Sequence, residues 1–216
     1  MFSGIVESCQ PVVRQHSEEF LNNQGQVLRL TIAKPTMFTD LSIGDSICCN
    51  GVCLTIESFS ESEMQFALGA ETLKVLNYSL ADMQNNKKFP WTVVNLERSL
   101  RFGDRIHGHL VAGHVEAVVP VTDISSWQEG SQVWVQLPDQ IKPYVWKKGS
   151  ITLNGVSLTV NEIDDKTLSV CLIPETLKRT NLQHLQKNDF VTIESDYFSK
   201  AAVQSMQNIK GNKDEI

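Results

Sequence analysis

The heptapeptide Asn50-Gly51-Val52-Cys53-Leu54-Thr55-Ile56 occurs a second time as Asn154-Gly155-Val156-Ser157-Leu158-Thr159-Val160, and the offset, 154 minus 50, is 104 residues. Glu71-Thr72-Leu73-Lys74 returns as Glu175-Thr176-Leu177-Lys178 at the same offset. A period this long lies beyond the roughly 20–50 residues of solenoid repeats, so the chain reads as two copies of one module. With 216 residues, 41% of them hydrophobic, each copy has enough apolar material for a core of its own.

Charge and cysteine usage narrow the function classes. The net charge is −6, with no run of Lys or Arg long enough to track a phosphate backbone, which argues against nucleic acid as a partner. No apolar run reaches the roughly 18 residues of a membrane span. The opening Met1-Phe2-Ser3-Gly4-Ile5-Val6 lacks the basic region and cleavage site of a signal peptide, so no membrane and a cytoplasmic location are expected. The five cysteines, Cys9, Cys48, Cys49, Cys53 and Cys171, are odd in number and include an adjacent pair, so reduced thiols are expected. Cys48, Cys49 and Cys53 also lack zinc-site spacing.

Taken in order, the chain predicts a strand over 2–6, whose counterpart is 111–116. Gly4, Val6 and Glu7 there match Gly113, Val115 and Glu116 at an offset of 113 minus 4, or 109. A segment reappearing inside the chain predicts an ordered start, where an added tag should do more harm than one at Ile216. Strands follow over 27–32 and 46–49, then the Asn-Gly dipeptide of a type I′ hairpin turn, then a return strand over 52–59. Further strands are expected over 64–68 and 168–172, and closing strands over 92–96 and 190–193. A short helix at each Glu-Thr-Leu-Lys stretch is opened in the second copy by Pro174. At the closing strands the offset drops to 194 minus 97, or 97, which places an insertion in the 84–91 loop of the first copy. The expected organisation is a first repeat over 1–109 and a second over 110–196, each a small closed β-barrel. A helix over 197–209 with Phe198, Ala202, Met206 and Ile209 on one side follows, and then a disordered tail over 210–216.

Strand parity singles out candidate site residues. Val52, Leu54 and Ile56 should face one side and Cys53 and Thr55 the other, with Ser157 and Thr159 their counterparts. A small thiol or hydroxyl followed by a Thr hydroxyl makes a wall able to hydrogen-bond a polar ligand, although small polar residues on a solvated face are ordinary. His107, His109 and His114 are crowded; as a strand, His107 and His109 would share a face. Metal binding, structural hydrogen bonding and acid–base work are all open to such a cluster, since imidazole titrates near neutrality.

The opening Met-Phe-x-Gly-Ile-Val, Asn50-Gly51-x-Cys53-Leu54-Thr55, Gly108-His109-x-x-x-Gly113-His114-Val115, Asn154-Gly155-x-Ser157-Leu158-Thr159 and Pro174-Glu175-Thr176-Leu177 together resemble the riboflavin synthase family of duplicated lumazine-binding barrels. The resemblance runs nearly end to end. It implies an all-β fold of two similar six-stranded Greek-key barrels plus a C-terminal α-helix, assembled as a homotrimer, with lumazine synthase as a candidate associate. The implied reaction is dismutation of two 6,7-dimethyl-8-ribityllumazine molecules by four-carbon transfer, with neither cofactor nor metal. A non-catalytic lumazine or flavin carrier of the same fold is the alternative.

By matching positions, the resemblance implies a first-barrel pocket of Gly4, Ile5, Val6, Cys53, Leu54, Thr55, Ala67, Leu68, Gly69, Ala70, Glu71, Thr72, Gly113, His114 and Val115. The implied second-barrel pocket is Lys148, Ser157, Leu158, Thr159, Leu172, Ile173, Pro174, Glu175, Thr176 and Leu177, with Asp196 assisting. His114 is the leading acid–base candidate and His109 the second. Ser46 and Cys53 are candidates for proton relay or transient addition. The chain departs from the family pattern in having His107 where Gly is usual, Glu116 where Asp is common, and the longer 84–91 loop.

Overall fold

The computed structural model describes residues 1–19, 26–79, 82, 85, 87 and 89–211. The inserted loop expected over 84–91 lies partly outside these residues, as does the tail from 212 onward.

Among the described residues, twelve strands form two closed antiparallel barrels. The first contains β1 (Ser8–Glu19), β2 (Gln26–Ala33), β3 (Ser46–Cys49), β4 (Val52–Phe59), β5 (Glu63–Leu68) and β6 (Val93–Arg98), ordered β1-β2-β5-β4-β3-β6. The second contains β7 (Ala117–Trp127), β8 (Gly130–Gln136), β9 (Ser150–Leu153), β10 (Val156–Ile163), β11 (Thr167–Leu172) and β12 (Phe190–Ser195) in the same cyclic order. In each, a three-strand meander is joined to its neighbour by a long connection, which is the Greek-key arrangement. Helix α1 (Ala70–Val75) and helix α2 (Pro174–Arg179) follow the fifth strand of each copy, and helix α3 (Tyr197–Gly211) ends the described chain.

The copies agree in irregularities as well as in strands. The β1–β2 register shifts between Val12 and Arg14 and the β7–β8 register between Val121 and Asp123, again 109 residues on. Shifts between Ile56 and Ser58 and between Val160 and Glu162 repeat at 104. An extra residue on one strand sharpens its bend, which helps so short a sheet close on itself. The Asn50-Gly51 and Asn154-Gly155 turns both have positive φ at both residues, as the type I′ reading requires.

Each barrel encloses an apolar core, built around Leu30, Ile32, Ile56 and Phe66 in the first and Val121, Val135, Val160 and Val170 in the second. Fully burying such a side chain contributes about 1.5–3 kcal/mol. A third cluster of Phe2, Cys48 and Val111, with Cys53 against it, lies outside both.

The hairpin turns of the two barrels meet back to back. A Cβ on Gly155 would stand 2.7 Å from the Gly51 nitrogen, so neither turn tolerates a side chain there. Beside them, Asn95 donates to the Asn154 carbonyl (2.9 Å) and to Asn181 Oδ1 (2.9 Å), while Thr192 Oγ1 donates to the Asn50 carbonyl (2.5 Å). Buried amides that hydrogen-bond across to the opposite barrel fix the relative placement of the two.

Three expectations need correction. The 2–6 and 111–116 segments are not strands: they meet in a single antiparallel bridge, Phe2 with Val111, and β1 and β7 start only at Ser8 and Ala117. The start is nonetheless ordered, with Phe2 wholly buried. His107 and His109 sit in irregular chain rather than on one strand face. Helix α3 continues through Gly211, so 210 and 211 belong to it rather than to a disordered tail.

Candidate active site

The outward faces of β3–β4 and β9–β10 carry equivalent polar walls. Across β3–β4, Ser46 pairs with Thr55 and Cys48 with Cys53; across β9–β10, Ser150 pairs with Thr159 and Thr152 with Ser157. Inward-facing neighbours Leu54, Leu158, Leu68 and Leu172 belong to the barrel cores, so they can offer a ligand only main-chain atoms. Cys53 and Ser157 are half-buried, and Thr55 and Thr159 are exposed.

The leading segment of each copy lies against the wall of the other barrel. Ser157 N donates to the Gly4 carbonyl (2.7 Å) and Cys53 N to the Gly113 carbonyl (2.8 Å). A Cβ on Gly4 would fall 2.6 Å from the Ser157 Cβ, and one on Gly113 would fall 2.6 Å from the Cys53 Cβ, while φ is +72° and +79°. Only glycine permits both the left-handed backbone and the close approach. Val6 packs into the second core and Val115 against the first. The grouping read from sequence is therefore corrected in part: Gly113, His114 and Val115 stand by the first barrel and Gly4 and Val6 by the second, while Ile5 lines a cleft beside the first.

Two buried glutamates hold these segments. Glu97 on β6 accepts from the Ser3 and Gly4 amides (2.7 and 2.9 Å) and from the Ser3 hydroxyl (2.8 Å). Glu194 on β12 accepts from the amides of Ala112, Gly113 and His114 (2.8, 3.1 and 3.1 Å). Burial pushes both carboxyls up, Glu194 to about 7, against the lowering pull of these amide donors. The sequence reading missed this pair. Its signal was present: identical acidic residues, 97 apart, at equivalent positions of the two closing strands.

The histidines separate. His109 is held on the second barrel, its Nδ1 2.7 Å from Ser157 Oγ and its Nε2 3.1 Å from Thr152 Oγ1. Desolvation lowers its pKa, with Asp196 pulling the other way. Burial thus favours its neutral form, an imidazole linking two hydroxyls. His114 is exposed, on the segment that Glu194 fixes beside Cys53. His107 borders an open cleft of about 680 Å³ beside the first barrel, together with Ser46, Ile5 and Arg98. Among the described residues, no three His, Cys, Asp or Glu side chains converge as a metal-ligand set.

The remaining sequence candidates fall around these walls. Lys148 has a φ of +71°, at the position equivalent to Gly44, and its Nζ donates to Asn161 Oδ1 (3.3 Å). A non-glycine residue in that conformation costs of order 1 kcal/mol or more. Gly69 precedes α1 and Ile173 precedes α2 as extended N-caps. Ala67 is half-buried on β5; Ala70 and Glu71 are exposed and Thr72 half-buried on α1. On α2, Thr176 and Leu177 are half-buried, and Glu175 is occupied by an ion pair with Arg179. Asp196 accepts from Ser199 N (2.9 Å) and so starts α3. Of the departures noted in the sequence, Glu116 accepts from Ser195 N (2.8 Å) and pairs with Lys200 (3.0 Å).

The fold is that of a duplicated-barrel protein with an equivalent polar wall on each barrel. The lumazine binding domain family matches residues 3–99 and again 112–196. Riboflavin synthase of Escherichia coli (strain K12) is 35% identical over 210 residues, covering 97% of this chain and 93% of that protein. The Actinobacillus pleuropneumoniae riboflavin synthase is 34% identical over 200 residues, covering 93% and 87%. The chain belongs to the riboflavin synthase family, a family of enzymes. Among solved structures, LumP complexed with riboflavin superposes with a TM-score of 0.75 at 22% identity, covering 90% of this chain and 99% of LumP, a likeness of fold.

Proposed function

We propose that the protein is a riboflavin synthase. In this reaction two molecules of 6,7-dimethyl-8-ribityllumazine exchange a four-carbon unit to give riboflavin and 5-amino-6-ribitylamino-pyrimidinedione, the last step of riboflavin biosynthesis. The carrying observation is that both polar walls are complete in one chain, Cys53 and Thr55 beside His114, and Ser157 and Thr159 beside His109. Two identical substrates need two similar pockets, and holding both converts a bimolecular step into an effectively unimolecular one.

One lumazine must lose a proton from its 7-methyl group while the other is made electrophilic. His114, exposed at the first wall, is the assigned acid–base group. His109 and Ser157 form a hydrogen-bonded pair able to move a proton at the second wall. Ser157, Thr159 and Lys148 suit the ribityl chain or ring carbonyls, and the main chain of Gly4–Val6 and of the α1 and α2 entries suits the pyrimidine edge. The working site forms between the first barrel of one subunit and the second barrel of another in a cytoplasmic homotrimer. Helix α3, whose Phe198, Met206 and Ile209 are all more than 60% exposed, supplies apolar surface for that assembly.

The test is to mix pure, metal-free protein with 6,7-dimethyl-8-ribityllumazine and follow riboflavin by absorbance. One riboflavin formed for every two lumazines consumed is the expected result. Tight binding without turnover would make the chain a carrier instead, and failure of both would sink the reading.

A further inference from the structure

Cys48 and Cys53 are directly opposite each other across the β3–β4 hairpin. The Cys53 amide donates to Gly113 rather than back across the hairpin, so this is a non-hydrogen-bonded pair. In such a pair the Cα atoms stand about 4.5 Å apart with side chains on one face, inside the roughly 4.4–6.8 Å that a disulfide spans. Both side chains do point outward, into the small cluster with Phe2 and Val111. Cys49, one residue away, points the other way into the first barrel core and is fully buried. The two thiols differ in access: Cys53 is half-buried at the wall, whereas Cys48 is only 2% exposed. In the second barrel the equivalent pair is Thr152 and Ser157, both hydrogen-bonded to His109 and unable to cross-link.

We propose that Cys48 and Cys53 are a modification site, a thiol pair that hydrogen peroxide converts to a disulfide across the first-barrel wall. The Cys53 thiolate attacks one peroxide oxygen; the O–O bond breaks, hydroxide leaves and a sulfenic acid forms. The Cys48 thiol then displaces that hydroxyl as water, forming the S–S bond. Two thiols are oxidised, one peroxide is reduced, and two waters result. The bond draws the Cys53 sulfur towards its buried neighbour and out of the site wall. That consequence for turnover rests on the riboflavin synthase reading; the cross-link itself does not.

The Asn50–Gly51 bond between the two cysteines makes the test specific, because hydroxylamine cleaves Asn-Gly. Reduced protein is treated with peroxide, its free thiols are alkylated under denaturing conditions, and the chain is cut with hydroxylamine. The fragment ending at Asn50 and the fragment beginning at Gly51 should stay joined until a reductant is added. Cys49→Ala should preserve the linkage and Cys48→Ala should abolish it. Lumazine turnover should fall by about tenfold or more in the linked protein and return with dithiothreitol. In Cys48→Ala the loss should instead be irreversible, as Cys53 proceeds to sulfinic acid. Fragments that separate without reductant, or a linkage that survives Cys48→Ala, would overturn the proposal. A linked protein with undiminished turnover would overturn the place given to Cys53 in the working site.

Discussion

His114 and His109 show how much a position in the fold decides about one residue type. Five residues apart, they serve different barrels: His109 is drawn down between two hydroxyls, while His114 stays in solvent reach next to the Cys53 wall. Removing His114 should therefore cost proton transfer rather than contacts. His114→Ala is expected to lower kcat about 100-fold or more while lumazine binding changes only a few-fold. Parallel losses in turnover and in ligand affinity, measured by steady-state kinetics and by titration, would refute the acid–base role. Alternation along β4 and β10 was legible beforehand because a period of two needs no tertiary information, and Cys53, Thr55, Ser157 and Thr159 fell on the outer face as read. The place of His109 was not legible. Its segment has no regular structure, and its path is set by contacts with a barrel whose strands come later in the chain.

At the scale of elements, β6 and β12 do more than close their barrels. Each carries one buried carboxylate that gathers the amides of a leading segment, and this sets where Gly4 and Gly113 approach the walls. The Glu194 carboxyl sits at about 7 in the folded protein, above its ordinary value of 4.5. Being raised, it contributes stability that is fully present below about pH 4.5 and is lost as the pH climbs through 7. A Gln at this position cannot titrate, and its amide group would face a backbone donor. Glu194→Gln should thus be less stable than the parent at pH 4.5, by about 1–3 kcal/mol. The gap should narrow as the pH rises to 8, which urea unfolding at both pH values would reveal. A gap independent of pH would show that the carboxyl is already ionised throughout. The pairing of leading segments with opposite barrels was invisible in the repeat itself. Self-similarity aligns Gly4 with Gly113 but says nothing about which copy either one touches.

For the whole molecule, α3 is the part that the duplication does not explain. The spacing of Phe198, Ala202, Met206 and Ile209 was readable as an apolar stripe, yet among the described residues these side chains are exposed rather than packed on a barrel. If that stripe joins subunits, replacing Phe198 and Met206 together with Ser should reduce the mass seen by light scattering to that of one chain. The far-ultraviolet spectrum should keep its β-barrel character, and turnover should drop with assembly. Unchanged mass would place the subunit contacts elsewhere.

The exchange of leading segments also bears on how the molecule comes apart. Two closed barrels with separate apolar cores would ordinarily melt one after the other. Here Val6 completes the second core and Val115 supports the first, so opening either barrel strips packing and hydrogen bonds from its neighbour. Heating should produce one calorimetric transition whose van't Hoff and calorimetric enthalpies agree for the folding unit, with no half-melted state. The duplicated chain would then be a single cooperative body, in which neither copy can be unfolded alone.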